Sequence, residues 1–458
     1  MSLIDYIPTV KKPTEKRLSL KTRLGWTLAV LIAFYLLSAI PLFGLSENLL
    51  IQAKELAILL GAQFGTLTTL GIGPIVTASI IIQLLAGAKI ISLDLSKEED
   101  KRKYERLQRM LTLVMIVVEG AAYVFFGALR PSQDLPPSTY LLFQFLIFIQ
   151  LAIGSLLIML MDDLCTLWGI GSGISLFIVA GVAHQAFTKI FNVFPYQAEV
   201  PSGVIPLFLY SFANQEYFGE AILGLISLLV TIVLFLIVVY VQAIRVEIPL
   251  TFTSVRGLTF KWPINFLYTS NIPVILVAAM FANVQLFGRV FASAGFPILG
   301  SFDESGYPKD GLVKYMSSPH SLIILLFTKS ITLDHVITAI VYTLLMVAFA
   351  TLFGYLWVQV SGMSAKDLAK QISNSNLARP GYRNDPRILE RLLNRYIPYL
   401  TILGSMTVGL LAAISDIFGA LVSGTGLLLS VMILYRFAQD LTRQYAEELP
   451  VIGKLLKG

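Results

Sequence analysis

Charged side chains are scarce in this sequence: they make up 14% of its 458 residues, whereas hydrophobic residues make up 56%. A soluble globular domain carries about 25% charged residues. The mean hydropathy, +0.76, is correspondingly high. This deficit of charge argues against a soluble domain and predicts a chain whose main solvent is lipid.

Ligands for metals and thiols for disulfides are almost absent. The chain has one cysteine, Cys165, and three histidines. A single cysteine excludes an intrachain disulfide, and so few thiols and imidazoles argue against a zinc site. The glycine-rich P-loop that binds nucleotide phosphates is also missing. We therefore predict no enzyme, no metal and no cofactor, so that a partner must supply the driving force for any transport.

Long apolar runs are what the sequence has instead. A run of about 20 apolar residues with few charges is long enough to cross a bilayer. The basic segment before residue 24 lacks the apolar core and cleavage site of a signal peptide, so the first run is expected to remain as a helix. Ten spans are predicted, at 24–43, 74–91, 107–129, 140–161, 170–191, 218–244, 263–291, 336–360, 396–415 and 418–437.

Basic residues are distributed unevenly between alternate loops. If the N-terminus is cytoplasmic, the loops on that side hold 27 of the 34 lysines and arginines, and the opposite side holds 7. Such a bias orients a membrane protein, because basic loops stay on the cytoplasmic side. The count predicts cytoplasmic termini at both ends and an even number of spans. Topology alone is a sufficient explanation for most of these charges.

Glycine and proline interrupt the predicted spans in a repeated pattern. The second span begins in GIGPIV (71–76) and the seventh carries NIPVI (271–275), whereas the fifth and tenth share Gly-X-Gly at 171–173 and 424–426. These would be the second and last helices of two five-helix halves. An odd number of spans in each half makes the halves inverted relative to each other. The predicted halves are 1–205 and 206–458.

Aliphatic side chains follow each interruption, where a transporter would place polar groups for its substrate. A ring of such side chains can close a pore, because water gains no hydrogen bonds inside it. They can also be ordinary helix-packing residues beside small side chains, and the pattern alone favours that interpretation. The six residues are Ile72, Val76, Ile174, Ile178, Ile275 and Leu429.

Six motifs, in order along nearly the whole chain, carry a resemblance to a known family. They are FGTLTTLGIGPIVTASIIIQLL (64–85), WGIGSGISLFIVAGV (168–182), RVEIPL (245–250), SNIPVILVAAMFANVQL (270–286), RYIPYLT (395–401) and SGTGLLLSVMILYR (423–436). The chain resembles the SecY family, the pore-forming subunits of protein-conducting channels, in its archaeal and eukaryotic branch. The resemblance implies ten helices in two inverted halves, arranged as a clamshell around an hourglass pore. It implies that secretory polypeptides cross the cell membrane through the pore and that transmembrane segments leave sideways into lipid.

The resemblance also assigns roles to particular positions. The six aliphatic residues become the pore ring, and the stretch at about 55–69, too mixed in composition to span a bilayer, becomes a plug. A lateral gate lies between the second and third spans and the seventh and eighth, with a polar cluster of Thr77, Glu119 and Asn283. Glu119 stands out by itself, since a carboxylate inside a span is costly and marks a functional site.

Partners follow from the same resemblance. The cytoplasmic loops 245–262 and 361–395 resemble those that touch ribosomal RNA, with Arg256, Lys261 and Arg383 at the matched positions. Basic side chains there would hold phosphates without reading sequence. The resemblance implies two small membrane subunits, equivalents of SecE and the beta subunit. It also implies contact with a ribosome carrying a nascent chain, with signal sequences and with membrane lipid. No role beyond shielding the gate is assigned to the external loop 292–335.

Two other classes of protein were weighed against the channel. A secondary transporter with inverted repeats requires polar or charged groups at both breaks, and only Glu119 and the span-end residues Asp162, Asp163 and Asp416 are available. An intramembrane hydrolase using Ser172 and His184 is rejected. Twelve residues on one helix separate these side chains by about 18 Å, so they cannot touch.

Overall fold

The computed structural model of the chain is mostly helical. It describes residues 10–14, 18–45, 65–87, 90–91, 98–125, 129, 131, 136–193, 195–197, 200–252, 259–269, 272–293, 295–303, 308–319, 321–374, 377–378 and 385–445. The long helices, numbered here in chain order, are α1 (Leu20–Ala39), α2 (Gly73–Gly87), α3 (Glu98–Phe125), α4 (Pro137–Trp168), α5 (Gly173–Phe191), α6 (Phe218–Ala243), α7 (Ile272–Ser293), α8 (Leu333–Val360), α9 (Ile397–Ile417) and α10 (Gly424–Tyr445).

Most of these helices are built to cross a membrane. Within the described residues, eight helical stretches are long and apolar enough to do so. The other two long helices are α2, which is apolar but has only 15 residues, and α10, whose last turns carry Arg436 and Asp440. Large apolar side chains such as Leu229 and Leu344 are 62% and 64% exposed. Such a surface is stable only in lipid, because in water it would be an extensive exposed apolar patch.

Helix contacts in the first half recur in the second. Helix α1 contacts α4 and α5, as α6 contacts α9 and α10. The neighbouring pairs α2–α3, α3–α4 and α4–α5 likewise have counterparts in α7–α8, α8–α9 and α9–α10. Because each half has five spans, the matching helices run in opposite directions across the membrane.

The predicted bounds of several spans are wrong. Helix α3 begins at Glu98 rather than 107, because the charged residues that precede the apolar run are good helix formers and extend the helix past the membrane. Helix α4 likewise extends past its apolar run and ends at Trp168 rather than at 161. Helix α10 begins at Gly424 rather than 418, since the chain turns at Gly419 with φ of +70°.

The loops predicted at 245–262 and 361–395 are largely folded. Strands β3 (Arg245–Phe252) and β4 (Thr259–Asn265) form an antiparallel hairpin, and β5 (Leu377–Ala378) pairs with the other side of β3. The predicted seventh span therefore starts too early, because residues 263–265 belong to β4 and α7 begins at Ile272. Short helices at Ala365–Asn374 and Pro386–Leu393 pack on this sheet through a separate apolar cluster that includes Ile248, Ile372 and Leu389.

Shorter elements connect the remaining helices. Strands β1 (Pro195–Gln197) and β2 (Val200–Pro201) pair as a small antiparallel unit, followed by a helix at Val204–Ser211 and a 3-10 turn at Gln215–Tyr217. Between α7 and α8 lie two short helices, Gly311–Tyr315 and Leu322–Phe327. The largest apolar core contains buried side chains of α2, α5, α7 and α10. These are the four helices whose interruptions match in the sequence.

Candidate pore and lateral gate

The interruptions in the sequence are breaks in the backbone. Gly71 and Gly171 adopt φ values of +54° and +73°, a left-handed conformation that side chains with a Cβ rarely take. Each lies two residues before the first residue of a long helix, at Gly73 and Gly173. Residues 65–70 form turns before α2, held by hydrogen bonds among Thr66, Thr68 and Thr69. These turns are the only part of the predicted plug within the described residues.

Four of the six predicted ring residues belong to the largest apolar core of the described residues, and the other two pack against it. Ile72, Val76, Ile178 and Leu429 are at most 8% exposed. Ile174 and Ile275 are half-buried and pack against the same cluster. The four helices that carry these residues come from both halves of the chain. All six positions therefore lie in or against one large apolar cluster, on helices from both halves, and we call this set of six residues the collar.

A cavity of about 400 Å³ adjoins the collar. Val76, Ile174 and Ile275 form part of its apolar wall. The amide of Gln108 donates a hydrogen bond of 3.0 Å to the hydroxyl of Ser79, which ties α3 to α2 at this wall. The polar lining comprises Ser79, Gln83, Tyr104, Gln108, Ser172, Ser175, Arg436 and Asp440. The cavity thus has polar walls on some sides and aliphatic walls, including three collar residues, on others.

The predicted gate residues meet where the two halves touch. Asn283 Nδ2 on α7 donates a 2.7 Å hydrogen bond to Thr77 Oγ1 on α2. The Thr77 hydroxyl in turn donates to the carbonyl of Gly73. Helix α2 contacts both α7 and α8, and α3 contacts α7, so the seam between the halves is closed along these helices.

Glu119 lies beside this hydrogen bond and is only 3% exposed. Its carboxyl group interacts with Thr77, but its Oε1 atom has no hydrogen-bond partner among the described residues. An unsatisfied buried acceptor costs about 1–3 kcal/mol. The seam therefore contains a polar group that closure does not fully satisfy.

The predicted RNA-contact residues are only partly within the described residues. Lys261 lies on β4 with its side chain 75% exposed, and its Nζ atom is 2.7 Å from Glu247 Oε2 on β3. The hydrogen bond and charge of Glu247 raise the pKa of Lys261 above its ordinary value. Arg256 and Arg383 lie outside the described residues. The only one of the three that can be located is thus already paired with a carboxylate.

Two carboxylates were noted in the sequence only as span-end charges, and their contacts were missed. Asp162 and Asp416 accept hydrogen bonds from backbone amides at the starts of α5 and α10. Their carboxylates are thereby engaged with backbone instead of being free for a transported solute. An acidic residue near the end of one helix, shortly before a Gly-X-Gly start of the next, is the signal that could have identified them. Ser172 bonds to Asp162, whereas the ring of His184 makes a tilted contact with Tyr35, so the two residues of the rejected hydrolase pair have different partners.

Aliphatic residues from two inverted halves beside a partly polar cavity, with helices of the two halves in contact along a seam, are the arrangement expected of a membrane channel. The sequence model of the SecY family matches residues 66–438. The chain belongs to the SecY family and is a multi-pass membrane channel subunit, not an enzyme.

Curated relatives and solved structures agree with this assignment. The chain is 42% identical to the protein translocase subunit SecY of Pyrococcus furiosus, over 99% of this chain and 98% of the relative. It is 39% identical to that of Methanocaldococcus jannaschii, again over 99% of this chain and 98% of the relative. A solved protein-conducting channel matches with a TM-score of 0.81 and 37% identity, over 99% of both chains. Sec61 in the canine ribosome-channel complex matches with a TM-score of 0.78 and 36% identity, over 99% of both chains. The predicted fold of ten helices in two halves and the predicted protein-conducting channel are both confirmed.

Proposed function

We propose that this chain passes unfolded secretory polypeptides across the cell membrane and releases transmembrane segments sideways into lipid. What mainly supports the proposal is that six aliphatic side chains from both halves lie in or against one apolar cluster, and that three of them line a partly polar cavity. Aliphatic walls bind no particular solute, which suits a polypeptide of any sequence.

The collar closes the resting pore by excluding water. Water inside a ring of aliphatic side chains loses hydrogen bonds and gains none, so a narrow apolar constriction blocks ions without a solid obstruction. Unfolded polypeptide can displace this barrier because its own side chains contact the aliphatic wall. The plug at about 55–69 adds a second seal. A solved SecY structure, 38% identical to this chain, is described as having a plug that stabilises the closed channel.

The gate opens at the seam between α2–α3 and α7–α8. Thr77, Glu119 and Asn283 provide a small number of polar contacts there, and a sufficiently apolar segment in the pore can replace them with contacts of its own. The division of the chain at residues 205 and 206 would let the two halves separate as units at this seam.

Partners provide the driving force and the support. The cytoplasmic side carries both termini and the loops with Arg256, Lys261 and Arg383, which we expect to contact ribosomal RNA through phosphates. Support for a ribosome partner comes from Sec61, whose solved structure is in a ribosome-channel complex. Two small membrane subunits, equivalents of SecE and the beta subunit, would hold the halves together away from the gate.

A crosslinking experiment tests the pore assignment. Cys165 is replaced by Ala, and single cysteines are placed at the six collar positions. A ribosome-stalled secretory chain with one cysteine in its translocating segment is expected to form disulfides at these positions. Leu344→Cys on the lipid-exposed side of α8 is the matched control and is expected to form none. Absence of crosslinks at all six collar positions, with translocation intact, would refute the assignment.

A further inference from the structure

The starts of α5 and α10 are held by carboxylates from the preceding helices. Asp162, near the end of α4, accepts a hydrogen bond of 2.9 Å from the backbone amide of Ile174 through Oδ1. The hydroxyl of Ser172 is 3.4 Å from the same oxygen. The first amides of a helix have no partner inside the helix, so an external acceptor there fixes the helix start. The residue held in this way, Ile174, is itself a collar residue.

The second half contains the corresponding arrangement. Asp416, near the end of α9, accepts a 2.6 Å hydrogen bond from the amide of Gly424 through Oδ1. Its Oδ2 accepts a 2.7 Å hydrogen bond from the hydroxyl of Tyr342 on α8. Asp416 is only 9% exposed. Leu429, the collar residue of α10, lies five residues beyond the bonded amide.

Close packing keeps both helix starts against the carboxylate-bearing helices. A Cβ atom on Gly173 would lie 2.6 Å from the Cα of Asp162. A Cβ atom on Gly424 would clash with the carbonyl of Ala412 and the side chain of Ser415. Only glycine allows the backbones to approach this closely. The two Gly-X-Gly motifs therefore permit the contact, and the two carboxylates fix its register.

We call each carboxylate with the helix start that it holds a bracket. Helices α5 and α10 are the last helices of inverted halves, so the two held helices run in opposite directions across the membrane. Each bracket fixes the rotation and depth of one collar helix relative to its own half. A charge-assisted hydrogen bond to backbone amides is among the stronger contacts available for this purpose.

We propose that Asp162 and Asp416 are positioning residues that align Ile174 and Leu429 in the closed collar and thereby keep the resting channel impermeable to ions. The proposal rests on the proposed role of the collar. Asp162 positions its collar residue through that residue's own amide, and Asp416 acts through the first turn of α10.

Ion leak through the resting channel tests this role. The purified complete channel complex is reconstituted in liposomes, and leak is measured for equal amounts of folded complex without nascent chain. Asp162→Ala and Asp416→Ala are each expected to raise leak about tenfold, the change that follows from losing one buried charge-assisted hydrogen bond. Asp162→Asn and Asp416→Asn are expected to restore most of the seal, because the amide oxygen accepts the same hydrogen bond.

Asp163→Ala is the matched control. This neighbouring carboxylate pairs with Arg109 of α3 at 2.9 Å rather than with α5. Both side chains of that pair are partly exposed, so its loss should change little. Leak in Asp163→Ala is expected to equal that of the unmodified channel.

If the alanine variants do not assemble, milder variants test whether Asp162 and Asp416 keep the resting channel impermeable to ions. Tyr342→Phe removes one hydrogen bond from Asp416, and Ser172→Ala removes one from Asp162. Each is expected to raise leak a few-fold. Unchanged leak in folded alanine variants, or in both milder variants, would overturn the proposal. If Ile174→Cys crosslinks to the stalled chain while ion leak through the aspartate variants is unchanged, only the positioning role of Asp162 and Asp416 fails. If no collar position crosslinks, the proposed pore itself fails.

Discussion

The amide of Asn283 donates a 2.7 Å hydrogen bond to the hydroxyl of Thr77, and this bond joins α7 of one half to α2 of the other. It lies across the seam that we propose as the lateral gate. A hydrogen bond of this kind contributes about 0.5–1.5 kcal/mol to the state that contains it. That is enough to set a threshold for opening and too little to prevent it.

Removing one partner of this bond should make the gate easier to open. Asn283→Ala leaves Thr77 without its donor and destabilises the closed seam by about 1 kcal/mol. We expect less hydrophobic segments to enter lipid, measured as inserted fraction for a graded series of segments. Asn283→Leu combined with Thr77→Val and Glu119→Leu should restore the threshold, because all three polar partners are then replaced by apolar groups. An unchanged threshold in Asn283→Ala would argue against a gate role for this bond.

Glu119→Gln should have the opposite effect. The hydroxyl proton of Thr77 goes to the carbonyl of Gly73, so the new amide nitrogen can donate to the Thr77 oxygen, and the side chain cannot ionise. The closed state of the seam therefore becomes more stable, and we expect the hydrophobicity that a segment needs for insertion into lipid to rise. The same graded series measures the shift. A threshold that falls or does not change would mean that the unpaired oxygen of Glu119 does not limit closure.

A hydroxyl in the collar should admit water. Val76→Thr adds one polar group with almost no change of shape, and Val76 is 5% exposed in the apolar cluster beside the cavity. We expect ion leak to rise several-fold, since a polar group stabilises water in the constriction. Val233→Thr on α6, where the side chain is 45% exposed, is the matched control and should not leak. Equal leak in both variants would remove Val76 from the barrier.

Gly154→Ala should loosen the segment that precedes α2. A Cβ at this position on α4 would clash with the carbonyl of Leu67, in the turns that lead into the broken helix. We expect a lower thermal unfolding midpoint and a higher resting leak. Gly219→Ala on α6 has open space around the new Cβ and should be neutral or slightly stabilising. A Gly154→Ala variant as stable as the unmodified protein would show that this turn can move at no cost.

Glu247→Gln should strengthen binding to ribosomes. The Glu247 carboxylate is 2.7 Å from the Lys261 ammonium and neutralises it locally. Removing that charge frees Lys261 for phosphate, and we expect tighter binding at low salt with a steeper salt dependence. Lys261→Ala should weaken binding under the same conditions. Affinities that are the same for both variants would exclude Lys261 from the contact.

Local sequence was sufficient for the spans and for the breaks between them. Apolar runs define helices in lipid because backbone polar groups there must be satisfied within the segment. The breaks at Gly71 and Gly171 were predicted from Gly-X-Gly, which proline follows in the first case, whereas their left-handed conformation came only from the structure. Family motifs then placed the collar and gate positions without any coordinates.

Elements outside the bilayer were predicted less well. The hairpin of β3 and β4 was predicted as a loop and partly as the seventh span, although apolar residues alternate with polar residues or proline along both strands. That alternation is the signal that could have identified the hairpin. Pairing between residues distant in sequence, such as Thr251 with Ala378, stabilises this sheet. No local pattern specifies such pairing.

The sequence by itself determined that this chain is a ten-span membrane protein of two inverted halves with aliphatic residues after each break. Hydropathy and the charge bias of the loops depend on residues that are close together in the sequence, so both can be calculated from one amino-acid sequence. Only the tertiary structure decided that Asn283 reaches Thr77, that Glu119 keeps an unpaired oxygen, and that Asp162 and Asp416 hold the helices of the collar. Those contacts depend on directional hydrogen bonds between separate helices, whose geometry exists only once the halves have packed.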